Sequence, residues 1–297
     1  MNLLRRFWIY QAERFPLLAY LLLTAALAAG ALGFSHAARG AAGWPPAAAY
    51  GVALFCTLGF FFQLRVADEY KDCAEDAAHR PYRPVPRGVI TLRELAWLAA
   101  GVALAQVALS LWLGAGLLLF LLAVWGMMAL MRWEFGAPAW LRAHPLLYML
   151  SHMLVLPLIF LFVTACDWLG AGPPPGLGWL LAAGYANGIV FEVGRKLRAP
   201  ESEETGVETY SRLWGIPRAT GIWLLALALA GLCAALAASA ARHWFMVAVA
   251  AGVGFLAAAL AGLGFVRNPT PTTGRRIERL SALWMLLLYA ALALLPL

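Results

Sequence analysis

Ten of the fifteen carboxylates in this chain sit in two short stretches. The first holds Asp68, Glu69, Asp72, Glu75 and Asp76; the second holds Glu192, Glu201, Glu203, Glu204 and Glu208. Each stretch follows directly on a long apolar run and is interleaved with Arg and Lys. Carboxylates at membrane depth are costly and usually mark a functional site. Two acidic clusters facing one cavity are what a divalent metal bound to a diphosphate needs.

In the first cluster, Asp68, Asp72 and Asp76 recur at i, i+4 and i+8, which on a helix aligns three carboxylates along one stripe. Like charges at that spacing repel, and a bound Mg²⁺ reverses the sign of that cost. Mg²⁺ takes one or two carboxylates and completes its shell with phosphate oxygens and water. The plainer alternative is a solvated helix end balanced by Arg65 and Lys71. The following loop, His79 to Gly88, carries Arg80, Arg83 and Arg87 among Pro81, Pro84 and Pro86. The prolines are expected to hold the arginines in extended chain. Guanidinium forks suit phosphate oxygens, although the loop could also be an ordinary basic connector.

The elements that must position these residues are membrane helices. The chain has 297 residues, 63% of them hydrophobic and 12% charged, with a mean hydropathy of +0.76. A soluble domain of this length cannot hide so much apolar surface. With about twenty apolar residues per span, nine spans are expected: 16–34, 47–66, 92–113, 115–131, 145–165, 177–194, 219–239, 244–266 and 279–297. The first is longer than a signal-peptide core and is expected to stay uncleaved. With the N-terminus inside, all Lys and Arg except Arg39 and Arg242 fall on inner segments, a strong positive-inside signal that places both acidic clusters in the cytosol. The charge of +7 is spread over many loops and reads as topology, not as a nucleic-acid footprint. Cys56, Cys73, Cys166 and Cys233 show no CxxC spacing, so no zinc or disulfide framework is implied. One cluster follows span two and the other span six, which hints at two four-helix halves, about 16–131 and 145–266, plus a final helix, within a single domain.

A carboxylate stripe ending the second helix, followed by an Arg-Pro-x-Pro-x-Gly loop, resembles the UbiA superfamily of membrane prenyltransferases. That family's first motif is usually Asn-Asp-x-x-Asp-x-x-x-Asp. Asp68 falls where Asn is usual, Glu69 on the first Asp, and Asp72 and Asp76 on the other two. Arg83-Pro84-Val85-Pro86-Arg87-Gly88 matches the family's loop. In the second cluster Gly206, Thr209 and Ser211 fit the ending of the family's second motif. Arg198 stands where an Asp is often found, leaving Glu192 and Glu201 as candidate second-site ligands, with Glu203 and Glu204 behind them.

The resemblance implies an all-α integral membrane bundle around a central cavity open to the cytosol, in the manner of a bacterial inner-membrane protein. It implies Mg²⁺-dependent transfer of an isoprenyl group from a prenyl diphosphate to a lipophilic or phosphorylated acceptor. The implied metal ligands are Asp68, Glu69, Asp72, Asp76, Glu192 and Glu201, with Asp68, Asp72 and Asp76 catalytic. Lys71, Arg83, Arg87, Arg195, Lys196 and Arg198 would grip the diphosphate, unless the second group only forms surface ion pairs. Tyr185, Asn187 and Tyr210 are candidate cavity residues, Asn187 being equally readable as a buried amide bonded to a neighbouring helix. Arg132, Glu134, Arg142 and His144 form a further inner loop, a cover or acceptor site or an interfacial anchor, and His152 reads as a core histidine. A terpene cyclase using the same site, or a transporter or assembly protein, are the alternatives. Against transport, no polar residues continue the charged clusters towards the outer face.

Overall fold

The computed structural model describes residues 2–204 and 207–297, and is all-helical, with no strand among the described residues. In chain order the helices are α1 (Leu3–Arg14), α2 (Leu17–Ala38), α3 (Ala47–Lys71), α4 (Cys73–His79), α5 (Leu92–Leu113), α6 (Leu117–Arg132), α7 (Pro138–Ala143), α8 (Pro145–Met153), α9 (Val155–Trp168), α10 (Leu177–Arg195), α11 (Tyr210–Trp214), α12 (Ile216–Ala238), α13 (Trp244–Arg267) and α14 (Pro271–Ala293). Their ends follow local chemistry. Asn2 caps α1 through the Arg5 amide, and Thr91 and Glu94 form a reciprocal capping box at α5. Thr270 caps α14, whose first turn also carries Pro271. Pro157 lacks the N–H that would bond back to Met153, and the run 145–168 breaks there into α8 and α9.

Each of the nine apolar segments lies in a helix, or in two for 145–165. Among the described residues, seven helices are long and apolar enough to cross a membrane, counting α8 and α9 as one. The other two differ for identifiable reasons. α6 is apolar but only 16 residues long, and α14 begins earlier than expected, taking Arg275, Arg276, Glu278 and Arg279 into its first half.

The core forms where α10 packs on α9, α12 and α14, and where α2 packs on α3, α9 and α14. The α2–α14 contact is made backbone to backbone, because small residues let helices approach closely in an apolar solvent. A Cβ at Gly33 would lie 2.9 Å from Ala293 Cα. Gly33→Val is therefore expected to push the two helices apart and destabilise the protein by about 1–3 kcal/mol; an unchanged melting temperature in detergent would mean the contact is looser than described. At the bundle end away from the acidic clusters, Asp167 accepts hydrogen bonds from Ser35 (2.6 Å) and Arg39 (2.8 Å) and pairs with His36 (2.9 Å). This cluster ties the ends of α2 and α9 together.

Candidate active site

The first acidic cluster sits where α3 ends. The helix continues beyond the expected span to Lys71, then bends at Asp72 before α4 takes over. The carboxylate stripe is thus bent, and its three members occupy different surroundings: Asp68 is exposed, Asp72 half-buried and Asp76 buried. Asp76 accepts from Arg80 at 2.9 Å and from Arg83 at 2.7 Å, with Arg14 of α1 at 4.0 Å. Glu69, also buried, accepts from Arg14 Nε at 2.7 Å. The loop after α4 is not extended. Arg83 N–H bonds to Arg80 O, Arg87 N–H bonds to Arg83 O, and Gly88 closes the turn with φ +75°. In this folded turn Asp76 gathers Arg80 and Arg83 onto one carboxylate. Arg87 instead pairs with Glu13 at the surface, at 2.7 Å.

Asp72 makes no ion pair among the described residues, and Asp68 has only Arg65 at 3.6 Å. Burial, then the like charges of Asp68 and Asp76, hold the Asp72 carboxyl above its ordinary value, with Lys71 opposing. A carboxylate in that condition is short of positive charge.

Lys71 turns the other way, bonding Glu134 Oε1 at 2.7 Å and the Tyr148 hydroxyl. Its ammonium also lies over the Tyr148 ring, 4.7 Å from the centroid. Tyr148 stacks on His152 (4.0 Å, 13°), and Phe135 meets the same imidazole in an edge-to-face arrangement. Glu134 and Phe135 both have positive φ, 46° and 54°. Non-glycine residues there cost about 1–3 kcal/mol each and persist only when their surroundings hold them. The Lys71–Glu134 pair supplies such a hold.

In the second cluster Glu192, on the last turn of α10, accepts from Arg195 at 2.7 Å and pairs with Lys196 at 2.9 Å. Lys196 also lies 5.3 Å from the centre of the Tyr210 ring. Arg198 pairs with Glu204 at 3.1 Å, and its backbone N–H bonds to Ser211 Oγ. Thr209 caps α11 and donates to Glu203. Glu201 is exposed, and Gly206 lies outside the described residues. A cavity of about 200 Å³ opens beside this cluster, lined by Arg195, Arg198 and Ser202 and, across from them, Gly274, Arg275 and Glu278 of α14.

The two clusters are near enough to feel each other's charge. Arg195 lies within electrostatic reach of Arg65 and Asp68. The Tyr210 phenol is raised far above its ordinary value by burial and by Glu192, with Tyr148 of the first group adding a smaller push. Of the candidate cavity residues, Tyr185 is half-buried and donates to Leu150 O. Asn187 is fully enclosed, donating to Tyr289 and accepting from Trp284 of α14 at 2.9 Å, which is the buried-amide arrangement.

In the sequence Arg14 reads only as a topology charge and His152 as a satisfied core residue. The structure puts Arg14 between Glu69 and Asp76, and leaves His152 Nε2 buried without a partner among the described residues. The signal for the second was available as Tyr148 and His152 at i and i+4, on one face of α8 and one turn apart.

Among the described residues no three carboxylate, imidazole or thiol groups converge as a preformed metal cage. The donor set nonetheless fits an ion such as Mg²⁺, which needs only one or two carboxylates. Asp68 and the under-compensated Asp72, one turn apart, provide them. Glu69, Asp76 and Glu192 are each already held by cations, so an ion engaging them would displace arginine or lysine.

No family model matches the chain, and no curated protein matches it in sequence. Solved structures do. A digeranylgeranylglyceryl phosphate synthase is 16% identical with a TM-score of 0.60, covering 94% of this chain and 98% of its own. A UbiA homolog from Aeropyrum pernix K1, in its apo form, is 16% identical with a TM-score of 0.66, covering 92% of this chain and 96% of its own. The chain shares the helical membrane fold of these UbiA-type proteins over nearly its whole length.

Proposed function

We propose that this protein uses its UbiA-type fold to transfer an isoprenyl group from a prenyl diphosphate to an acceptor within the membrane, with Mg²⁺ at the site. The observation that carries this reading is the cluster at the end of α3. Asp68, Asp72 and Asp76 stand there beside Arg83, in a fold shared with a digeranylgeranylglyceryl phosphate synthase. The concentration of Lys and Arg on the motif-bearing segments supports a cytosolic site in a multi-pass protein.

Asp68 and Asp72 are the residues to hold the metal, with Asp76, Glu69, Glu192 and Glu201 as further members of its shell. When bound, Mg²⁺ supplies positive charge opposite the charge that develops on the departing diphosphate. Lys71, Arg83, Arg195, Lys196 and Arg198 grip the diphosphate oxygens and orient the bond to be broken. Lys71 and Lys196 are already poised over aromatic rings, and a short swing moves each from its glutamate to a phosphate oxygen. The apolar bundle takes the isoprenyl chain. Tyr148 and Tyr210 offer ring faces to an allylic cation while keeping water from it.

The test is diphosphate release from purified protein given geranyl, farnesyl or geranylgeranyl diphosphate, with Mg²⁺ or with EDTA, and with or without membrane extract. The expected result is Mg²⁺-dependent release that requires extract. Release without any acceptor would indicate cyclisation or a hydrolytic leak, and absence of both release and Mg²⁺-dependent binding would overturn the reading. Arg198→Ala is expected to raise the apparent KM for prenyl diphosphate roughly tenfold, the loss of one charge-assisted contact. Unchanged kinetics would reduce Arg198 to a surface partner of Glu204.

A further inference from the structure

Beside the diphosphate groups lie two buried polar atoms with no partner. Glu134 is 7% exposed and His152 8%; Oε2 of the first and Nε2 of the second have no hydrogen bond among the described residues. Both belong to the Lys71 group, Glu134 through its other oxygen and His152 through the stacked Tyr148 ring. Their chemistry is the same. His152 Nδ1 lies 2.8 Å from Tyr148 O, and a carbonyl can only accept, so Nδ1 carries the proton and Nε2 of the neutral ring is a lone-pair acceptor. Glu134 Oε2 is an acceptor as well. Buried acceptors left unpaired are retained at a cost to stability, and Glu134 is itself the first of two successive residues with positive φ. Strain and unpaired polar atoms together are a mark of a functional segment.

We propose that Glu134 and His152 form the acceptor end of the site and take a reacting group that donates a hydrogen bond, a neutral O–H or N–H rather than a carboxylate, a phosphate oxygen or an aromatic carbon. This rests on the prenyl-transfer reading and names the chemistry of its second substrate. As the C1–O bond of the prenyl diphosphate breaks, its electron pair leaves with the diphosphate. A lone pair of the acceptor atom forms the new bond to C1, and the proton of that O–H or N–H passes to Glu134 Oε2. His152 Nε2 receives a second donor of the acceptor and orients it. The Phe135 ring, edge-on to His152, is what the incoming acceptor displaces. The same swing that brings Lys71 to the diphosphate frees Glu134 for this work, so the base is released only when the prenyl donor is bound.

The experiment compares wild type with Glu134→Gln, Glu134→Asp and His152→Phe. It measures farnesyl and geranylgeranyl diphosphate binding, turnover with whole membrane extract, and the atom that carries the new C1 bond by NMR of the product. Glu134→Gln is expected to lower kcat by at least about 100-fold, within the usual range for a lost general base, with donor binding as tight as wild type or tighter, because Lys71 no longer has to leave a carboxylate. Glu134→Asp should recover part of that loss, and His152→Phe should raise the KM for extract more than it lowers kcat. The product should carry the prenyl group on oxygen or nitrogen. A prenyl group on carbon or on a phosphate oxygen, or Glu134→Gln turning over within threefold of wild type, overturns the proposal. Wild type that neither binds prenyl diphosphate nor turns over with extract overturns the prenyl-transfer reading instead.

Discussion

Asp76→Asn is expected to destabilise the protein by about 3–5 kcal/mol, the usual consequence of removing one member of a buried charge cluster. Asp76 is 1% exposed and accepts from Arg80 and Arg83 while Arg14 stands at 4.0 Å. Asparagine keeps the shape but withdraws the charge, so Arg83 loses its carboxylate partner, Arg80 is left with Glu75 at 3.9 Å, and only Arg14 keeps a close one in Glu69. The fall should appear in thermal unfolding in detergent before any assay of chemistry. A second substitution, Arg83→Gln, should recover part of the lost stability, because it removes one of the stranded charges. If Asp76→Asn melts with wild type and loses only its response to Mg²⁺, Asp76 serves the metal alone and does not anchor this end of the bundle.

Asp72→Ala should do the opposite: turnover falls at least about 100-fold, as for loss of a group that stabilises charge in the transition state, while the fold survives. The sign follows from the surroundings of Asp72. Burial and the charges of Asp68 and Asp76 raise its folded-state pKa above the ordinary 3.8. A carboxyl raised in this way adds stability below pH 3.8, and that contribution is lost as pH rises through the raised value. Once ionised, the group is a burden on the fold, and removing it should leave the melting temperature unchanged or higher above the raised value. Mg²⁺ should stabilise wild type, since a ligand that binds the native state shifts the equilibrium, and should have little effect on the variant. Full turnover in Asp72→Ala would remove the first motif from the mechanism.

The contrast between these two neighbours could not be read from their spacing. At i, i+4 and i+8 the three aspartates look equivalent, and only their partners separate them. Glu69 and Asp76 are sequestered by Arg14, which lies 55 residues before Glu69, on a helix whose sequence suggests nothing but topology. Lys71 belongs to the acidic stripe by position, yet its contacts are with Glu134 and Tyr148, the latter 77 residues away. The prolines of the arginine loop after α4 suggest an extended chain, and the loop instead folds into turns with Arg80 and Arg83 gathered on the buried Asp76 carboxylate.

What the sequence by itself determined is the helical membrane architecture, the position of the acidic clusters at helix ends and the charge asymmetry between the two sides. Those properties depend on short-range periodicity, on apolar runs of about bilayer length and on which residues interrupt them. The length and charge of α6 and α14 show the limit of that reading, since hydropathy alone did not place the start of α14 at Pro271. What only the tertiary structure decided is which carboxylate is paired and which is left short of positive charge, and that Glu134 and His152 flank the Lys71–Tyr148 contact with atoms that have no partner among the described residues. Pairing in a low-dielectric interior depends on distances of a few ångströms between side chains far apart in the chain, and those distances exist only once the helices have packed.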